Sequence, residues 1–152
     1  MKQKKRIILY IVIFVLIITS FYKVFRREVV DGTSMYPTFE DGEQLISYTT
    51  QNAKRGQIIT FYDTSHHKDL IKRVIAVEGD VLEIRDSKVY VNGALLDEPY
   101  LSEHQFNGEI DVTIPEDCVW VMGDNRNNSR DSREFGFVKT KFIHGVVLPI
   151  FY

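Results

Sequence analysis

At 152 residues the chain has room for one domain, and its single cysteine, Cys118, excludes an internal disulfide framework and reads as a buried apolar residue. The net charge of −2 hides an asymmetry: residues 1–25 carry five basic residues and no acid, whereas the remainder carries 14 basic and 21 acidic residues, a balance of −7. A domain this acidic repels phosphate backbones, so nucleic acid is not expected as a partner, and the basic flank is read as facing anionic lipid headgroups.

In chain order, residues 1–6 form a basic tail expected on the cytoplasmic side. Ile7–Tyr22 is then an apolar run broken only by Thr19 and Ser20. Sixteen helical residues at about 1.5 Å each fall slightly short of the roughly 30 Å hydrocarbon core. Lys23 can snorkel and let Val24 and Phe25 extend the span, so residues 7–25 are read as a transmembrane anchor. The competing reading is a cleavable signal peptide, but no small-x-small site follows the run. Basic residues flank the span on both sides, with Lys2, Lys4, Lys5 and Arg6 before it and Lys23, Arg26 and Arg27 after it. The first group favours an inside N-terminus, which places residues 26–152 on the extracytoplasmic side.

Beyond residue 28 the chain reads as short strands separated by turns. Glu28–Val30 leads into an Asp31-Gly32 turn; Gln44–Tyr48, Gln57–Tyr62, Leu70–Val77 and Val81–Ile84 follow. Asn92-Gly93 inside Lys88–Leu96 is a two-residue hairpin signal. Val112–Ile114, Val119–Met122 and Gly145–Ile150 complete a mainly β domain.

Three stretches carry candidate chemistry. Ser34 sits between Gly32 and Pro37, where a turning backbone presents the hydroxyl beside its own N–H; alone, such a serine is an ordinary turn residue. Lys72 lies in a strand whose alternation places it with Leu70, Val74 and Ala76 on one apolar face, with Arg73 on the opposite face needing a carboxylate or solvent. A lysine held in apolar surroundings loses charge readily, and its neutral amine can take a proton from a serine hydroxyl. Third, the segment 122–136 is crowded with Asp124, Asn125, Arg126, Ser129, Asp131, Ser132 and Arg133, enough hydrogen-bonding groups to fix loops around a site. His66, His67, His104 and His144 show no zinc spacing, and Pro37 breaks a Ser-x-x-Lys motif.

With these residues in view, the chain resembles the bacterial type I signal peptidases. The match is carried by Gly32–Thr38, by Lys72–Ile75 with Gly79-Asp80, and by Gly123–Arg126 with Ser129 to Arg133. Arg55–Ile58 and Val91-Asn-Gly with Glu98–Leu101 add to it. The resemblance implies a curved, barrel-like β catalytic domain with a minimal accessory β region over 85–117. It implies Ser34 as nucleophile and Lys72 as general base, with Ser129 hydrogen-bonding the Lys72 amine. Asp124 with Arg73, and Asp131 with Arg133, would be supporting ion pairs, and backbone amides at Gly32 and Ser34 would hold the oxyanion. Gly32 stands where some members carry a serine that donates to that oxyanion. Glu78, Ala76, Asn127 and Leu70 are further departures from the family's usual residues and bear on pocket shape. Implied partners are signal peptides of secreted preproteins, membrane lipid and the secretion machinery; no metal or cofactor is implied. Two other readings stay open on the residues: a self-cleaving serine–lysine protein of the LexA type, and a non-enzymatic anchored β-domain.

Overall fold

The computed structural model describes residues 2–103, 106 and 108–152; His104 lies outside the described residues. Helix α1 (Lys2–Val24) runs directly into β1 (Phe25–Val29), and β2 (Gln44–Tyr48), β3 (Ile58–Asp63) and β4 (Lys68–Val77) follow. A small sheet comes next: β5 (Val81–Arg85), β6 (Lys88–Val91), β7 (Ala94–Leu95) and β8 (Ile110–Thr113). The chain then returns through β9 (Cys118–Met122), the single turn α2 (Ser132–Phe135), β10 (Val138–Lys139) and β11 (Ile143–Val147). Strands β6 and β7 are joined by the Asn92-Gly93 turn that the sequence signals, both residues having positive φ, 54° and 77°.

The main sheet has seven strands in the order β1-β2-β11-β3-β4-β9-β10, and the small one four in the order β7-β6-β5-β8. The chain is mainly β, as expected, but neither sheet closes into a barrel: β1 and β10 remain as edges. The main sheet curls instead. Although β2, β11 and β3 separate β1 from β4, residues of both line one cleft.

Sequence alternation explains most burial. In β2, Leu45 and Ser47 are buried while Gln44 and Ile46 face out. The alternation fails in β4, where the register with β9 shifts between Val74 and Ala76. The extra residue, Ile75, flips every later side chain to the other face. Leu70 and Val74 therefore pack with Ile59, Phe61 and Val121 as expected, whereas Ala76 joins Trp120 and Met122 in a different core cluster. The expectation of Ala76 beside Lys72 is corrected for that reason.

The Gly145–Ile150 strand expectation is also corrected: β11 ends at Val147, and Pro149–Phe151 forms a 3-10 turn. The apolar side chains of α1 from Ile7 to Ile18 are 38–65% exposed. Among the described residues, no helix is long and apolar enough to cross a membrane.

Candidate active site

Ser34 sits on the loop between β1 and β2, and its neighbours anchor that loop. Met35 and Phe39 are fully buried with Val30, Leu45, Ile58 and Val147. Each such side chain contributes roughly 1.5–3 kcal/mol, enough to hold a short loop in one conformation. Gly32 supplies the turn at φ +83°, and its N–H donates to Asp41 Oδ1 at 2.8 Å. Tyr36 N–H closes a further turn onto Thr33 O at 3.1 Å. The hydroxyl of Ser34 stays half-buried at the cleft.

Lys72 is 2% exposed. It lies opposite Ile59 across the β3–β4 ladder, and its Nζ is 2.7 Å from Ser34 Oγ and 2.8 Å from Ile71 O. Burial pushes the amine down from 10.5 to about 8. Asp131 and, more weakly, Asp124 pull it back up, while the nearby charges of Lys68 and Arg130 push it further down.

The polar segment 123–133 clasps the serine loop. Asn125 N–H donates to Ser34 O at 3.0 Å, Asn125 Nδ2 to Thr33 O at 3.1 Å, and Asn128 Nδ2 to Thr33 Oγ1 at 2.9 Å. Asp124 accepts from Arg73 Nε at 2.8 Å and Nη2 at 2.7 Å, and from the Thr38 hydroxyl. Arg73 thus finds, on its own face of β4, the carboxylate that the sequence requires. Asp131 accepts from Gly123 N–H at 3.0 Å and from Arg133 Nε and Nη2 at 2.8 Å each, while also capping α2. Both expected ion pairs are formed and both carboxylates are buried.

Two expectations differ. Ser129 Oγ is buried without a hydrogen-bond partner rather than bonded to Lys72, whose amine is taken by Ser34 and Ile71. Ser129 packs instead against Gly123, where an added Cβ would lie 2.1 Å from its Oγ. The Gly32 amide is occupied by Asp41, so of the two amides expected at an oxyanion site only that of Ser34 is left without an acceptor among the described residues.

The open cleft holds about 370 Å³ and is lined by Glu28–Met35, Thr60, Lys68–Lys72, Asn128 and Arg130. It lies beside two free backbone edges. Strand β1 pairs only with β2, and β4 pairs with β9 only from Arg73 onward, leaving Lys68–Lys72 open on that side. A larger hollow of about 820 Å³ beside the small sheet contains neither member of the serine–lysine hydrogen bond. Sequence reasoning did not single out Glu28, Arg130, Asn128 or Thr38. A charged residue at the start of an otherwise apolar strand end, as at Glu28, was the available signal.

The region 85–117 reaches the site through Glu98, Tyr100 and Phe106. Glu98 pairs with the fully buried Arg126, Tyr100 stacks at 3.9 Å on Arg73, and Phe106 lies under Arg126 and Arg133. Among the described residues no cluster of His, Cys, Asp or Glu is arranged to hold a metal ion.

Residues 2–152 match the family model described as signal peptidase, peptidase S26. The chain is 35% identical over 156 residues to signal peptidase I of Bacillus licheniformis, covering 93% of this chain and 83% of that protein. It is 40% identical over 142 residues to signal peptidase I of Bacillus caldolyticus, covering 82% of this chain and 78% of that one. Among solved structures, a signal peptidase I from Enterococcus faecalis V583 superposes with a TM-score of 0.59 at 33% identity, over 64% of this chain and 97% of that one. These matches define the class of the chain, a serine endopeptidase. It belongs to the signal peptidase family, peptidase S26.

Proposed function

We propose that this protein removes signal peptides from exported preproteins, cutting after a small-x-small site with Ser34 as nucleophile and Lys72 as general base. The observation that carries the assignment is the 2.7 Å approach of Lys72 Nζ to Ser34 Oγ, made by a lysine only 2% exposed. A lysine with its pKa near 8 is neutral in a useful fraction of molecules near neutral pH, whereas a solvated one is not. The neutral amine takes the hydroxyl proton as Oγ attacks the scissile carbonyl. The resulting ammonium then gives that proton to the departing amine, and a water activated in the same way releases the acyl group. The Ser34 N–H is placed to donate to the developing oxyanion. Asp124, Arg73, Asp131 and Arg133 act by holding the loops; Ser129, packed at Gly123, supports the same loop junction.

The substrate enters extended, adding a strand between the open edges of β1 and β4, with its small side chains in shallow pockets of the cleft. Residues 7–25, most of α1 together with Phe25 at the head of β1, anchor the enzyme in the membrane. The N-terminus lies on the cytoplasmic side and residues 26–152 outside, close to the secretion machinery that delivers preproteins. The exposed apolar side chains of that helix support the anchor, and protease protection on intact cells tests it: a domain shielded from outside reverses the topology.

The purified full chain incubated with a preprotein tests the reaction. Cleavage in trans after small-x-small, abolished in Ser34→Ala and Lys72→Ala with the fold retained, is expected. Self-cleavage alone favours the repressor type, and no cleavage favours a binding domain. Near-normal turnover in Lys72→Ala removes the general-base assignment.

A further inference from the structure

The far wall of the cleft contains a polar group that the chemistry at Ser34 does not use. Glu28 lies in β1, whose path leads to the serine loop, and lines the same cleft as Ser34, Lys72 and Thr60. Its side chain is 17% exposed, so it is largely withdrawn from solvent yet open to the cleft. Its Oε1 accepts from Ser47 Oγ at 2.9 Å and from Thr60 Oγ1 at 3.3 Å, two hydroxyls that are themselves buried. Arg26 approaches the same oxygen, at 3.6 Å. Among the described residues, none donates a hydrogen bond to Oε2. A carboxylate oxygen held in fixed geometry by two buried donors, with its second oxygen free, is a preorganised acceptor. The cleft wall is mixed: Val30, Leu70 and Ile71 are apolar and Thr60, Lys68, Asp69, Asn128 and Arg130 are polar, and Glu28 is the carboxylate in it that two buried hydroxyls hold in place.

We propose that Glu28 is a specificity-determining residue that selects, among preproteins with a small residue at the third position before the cut, those whose side chain there carries a hydroxyl. This rests on the proposed function above, which places the substrate extended in the cleft. In an extended strand, side chains two residues apart share a face and stand about 7 Å apart. With the carbonyl of the residue before the cut at Ser34 Oγ, that residue's side chain lies against the serine loop. The side chain two residues earlier projects from the same face, further along the cleft, toward Glu28 and Thr60. An apolar side chain there leaves Oε2 desolvated and unpaired; a hydroxyl satisfies it. A site built to hydrogen-bond its ligand rejects the isostere that lacks the donor more strongly than an apolar pocket rejects an extra methylene.

The test uses the full-length enzyme and a preprotein in which the third residue before the cut is Thr or Val, side chains of the same shape that differ by one hydroxyl. Wild type is expected to cut the Thr substrate about tenfold faster in kcat/KM than the Val substrate. Glu28→Gln keeps an acceptor for Ser47 and Thr60 and so keeps the fold. It is expected to shrink the Thr-over-Val ratio severalfold. The variant Glu28→Leu combined with Ser47→Ala and Thr60→Val leaves no orphaned hydroxyl, and is expected to favour Val. Equal rates for the Thr and Val substrates in wild type overturn the proposal, as does a preference unchanged in Glu28→Gln. Failure to cut even a reference substrate with alanine at the first and third positions overturns the proposed function instead.

Discussion

Gly123→Ala is the perturbation for which the structure gives the sharpest consequence. Gly123 precedes Asp124 at the point where the polar segment crosses the serine loop, and a Cβ there would lie 2.4 Å from Ser34 O, 2.5 Å from Ser129 Cβ and 2.1 Å from Ser129 Oγ. Side-chain rotation can turn the unbonded Ser129 Oγ aside but leaves Ser129 Cβ in place, so that contact, too, can be relieved only by moving backbone. The Ser34 carbonyl is backbone, tied by Asn125 N–H and by the burial of Met35 next to it. Restoring an ordinary van der Waals separation of about 3.4 Å requires roughly 1 Å of relative movement between the two loops. That movement is shared with the Ser34 hydroxyl, 2.7 Å from Lys72 Nζ. A displacement of about 1 Å at reacting groups costs on the order of 100-fold in rate, about 2.7 kcal/mol of barrier. Overpacking of this size also costs about 1–3 kcal/mol of stability. The assay is single-turnover cleavage of a preprotein by Gly123→Ala, alongside its thermal midpoint. A folded variant with a rate within about threefold of wild type would refute the reasoning, because it would mean that the clasp does not set the position of Ser34.

Four further outcomes follow from the same geometry. With the Lys72 amine at about 8, kcat/KM should rise about tenfold per pH unit below that value and level off above it. Lys68→Ala removes a cation that pushes Lys72 down, so its rising limb should move to higher pH by roughly a few tenths of a unit, and a limb that moves the other way contradicts the assignment. Lys72 binds its proton less tightly folded than unfolded, so its destabilising contribution is complete below pH 8 and fades as pH rises toward 10.5. Lys72→Met should therefore be inactive yet more stable at pH 7 by up to about 3 kcal/mol, a gain that disappears near pH 10.5 in denaturant titrations. Glu98→Ala leaves the fully buried Arg126 without its carboxylate, and should cost about 3–5 kcal/mol, read as a fall in thermal midpoint of roughly 10 °C. A midpoint within a degree of wild type would show that Arg126 finds another partner.

Much of this protein was legible along the chain. Gln44–Tyr48 declares itself by alternation, Asn92-Gly93 by the positive φ that a tight hairpin demands, and Arg73 by standing one residue from Lys72 on a strand, which sends the two side chains to opposite faces. Ser34 and Lys72 were legible as a pair because a hydroxyl needs a base, and a lysine becomes one only when an apolar strand buries it. The alternation, the hairpin and the opposite faces of Arg73 and Lys72 depend on residues within a turn or a strand of one another, so local sequence determines them; Ser34 and Lys72, 38 residues apart, meet only through the fold.

What the tertiary structure decided depends on surfaces brought together from far apart. The bulge at Ile75 is set by how β9 meets β4, and it moves Ala76 away from the face where simple alternation puts it. Gly123 is required by the approach of a carbonyl 89 residues earlier in the chain, and Asp41 takes the Gly32 amide from nine residues away. Ser129 is near the site but does not bond Lys72: the amine lies on Ser34 Oγ and Ile71 O, and Ser129 Oγ is packed against Gly123. The curl of the sheet turns Glu28, Ser47 and Thr60 from three separate strands into one wall of the cleft. Sequence alone therefore determined where the candidate nucleophile and base stand along the chain, at Ser34 and Lys72. Only the packing of loop on loop and strand on strand decided which of their hydrogen bonds are already taken and which remain open to a substrate.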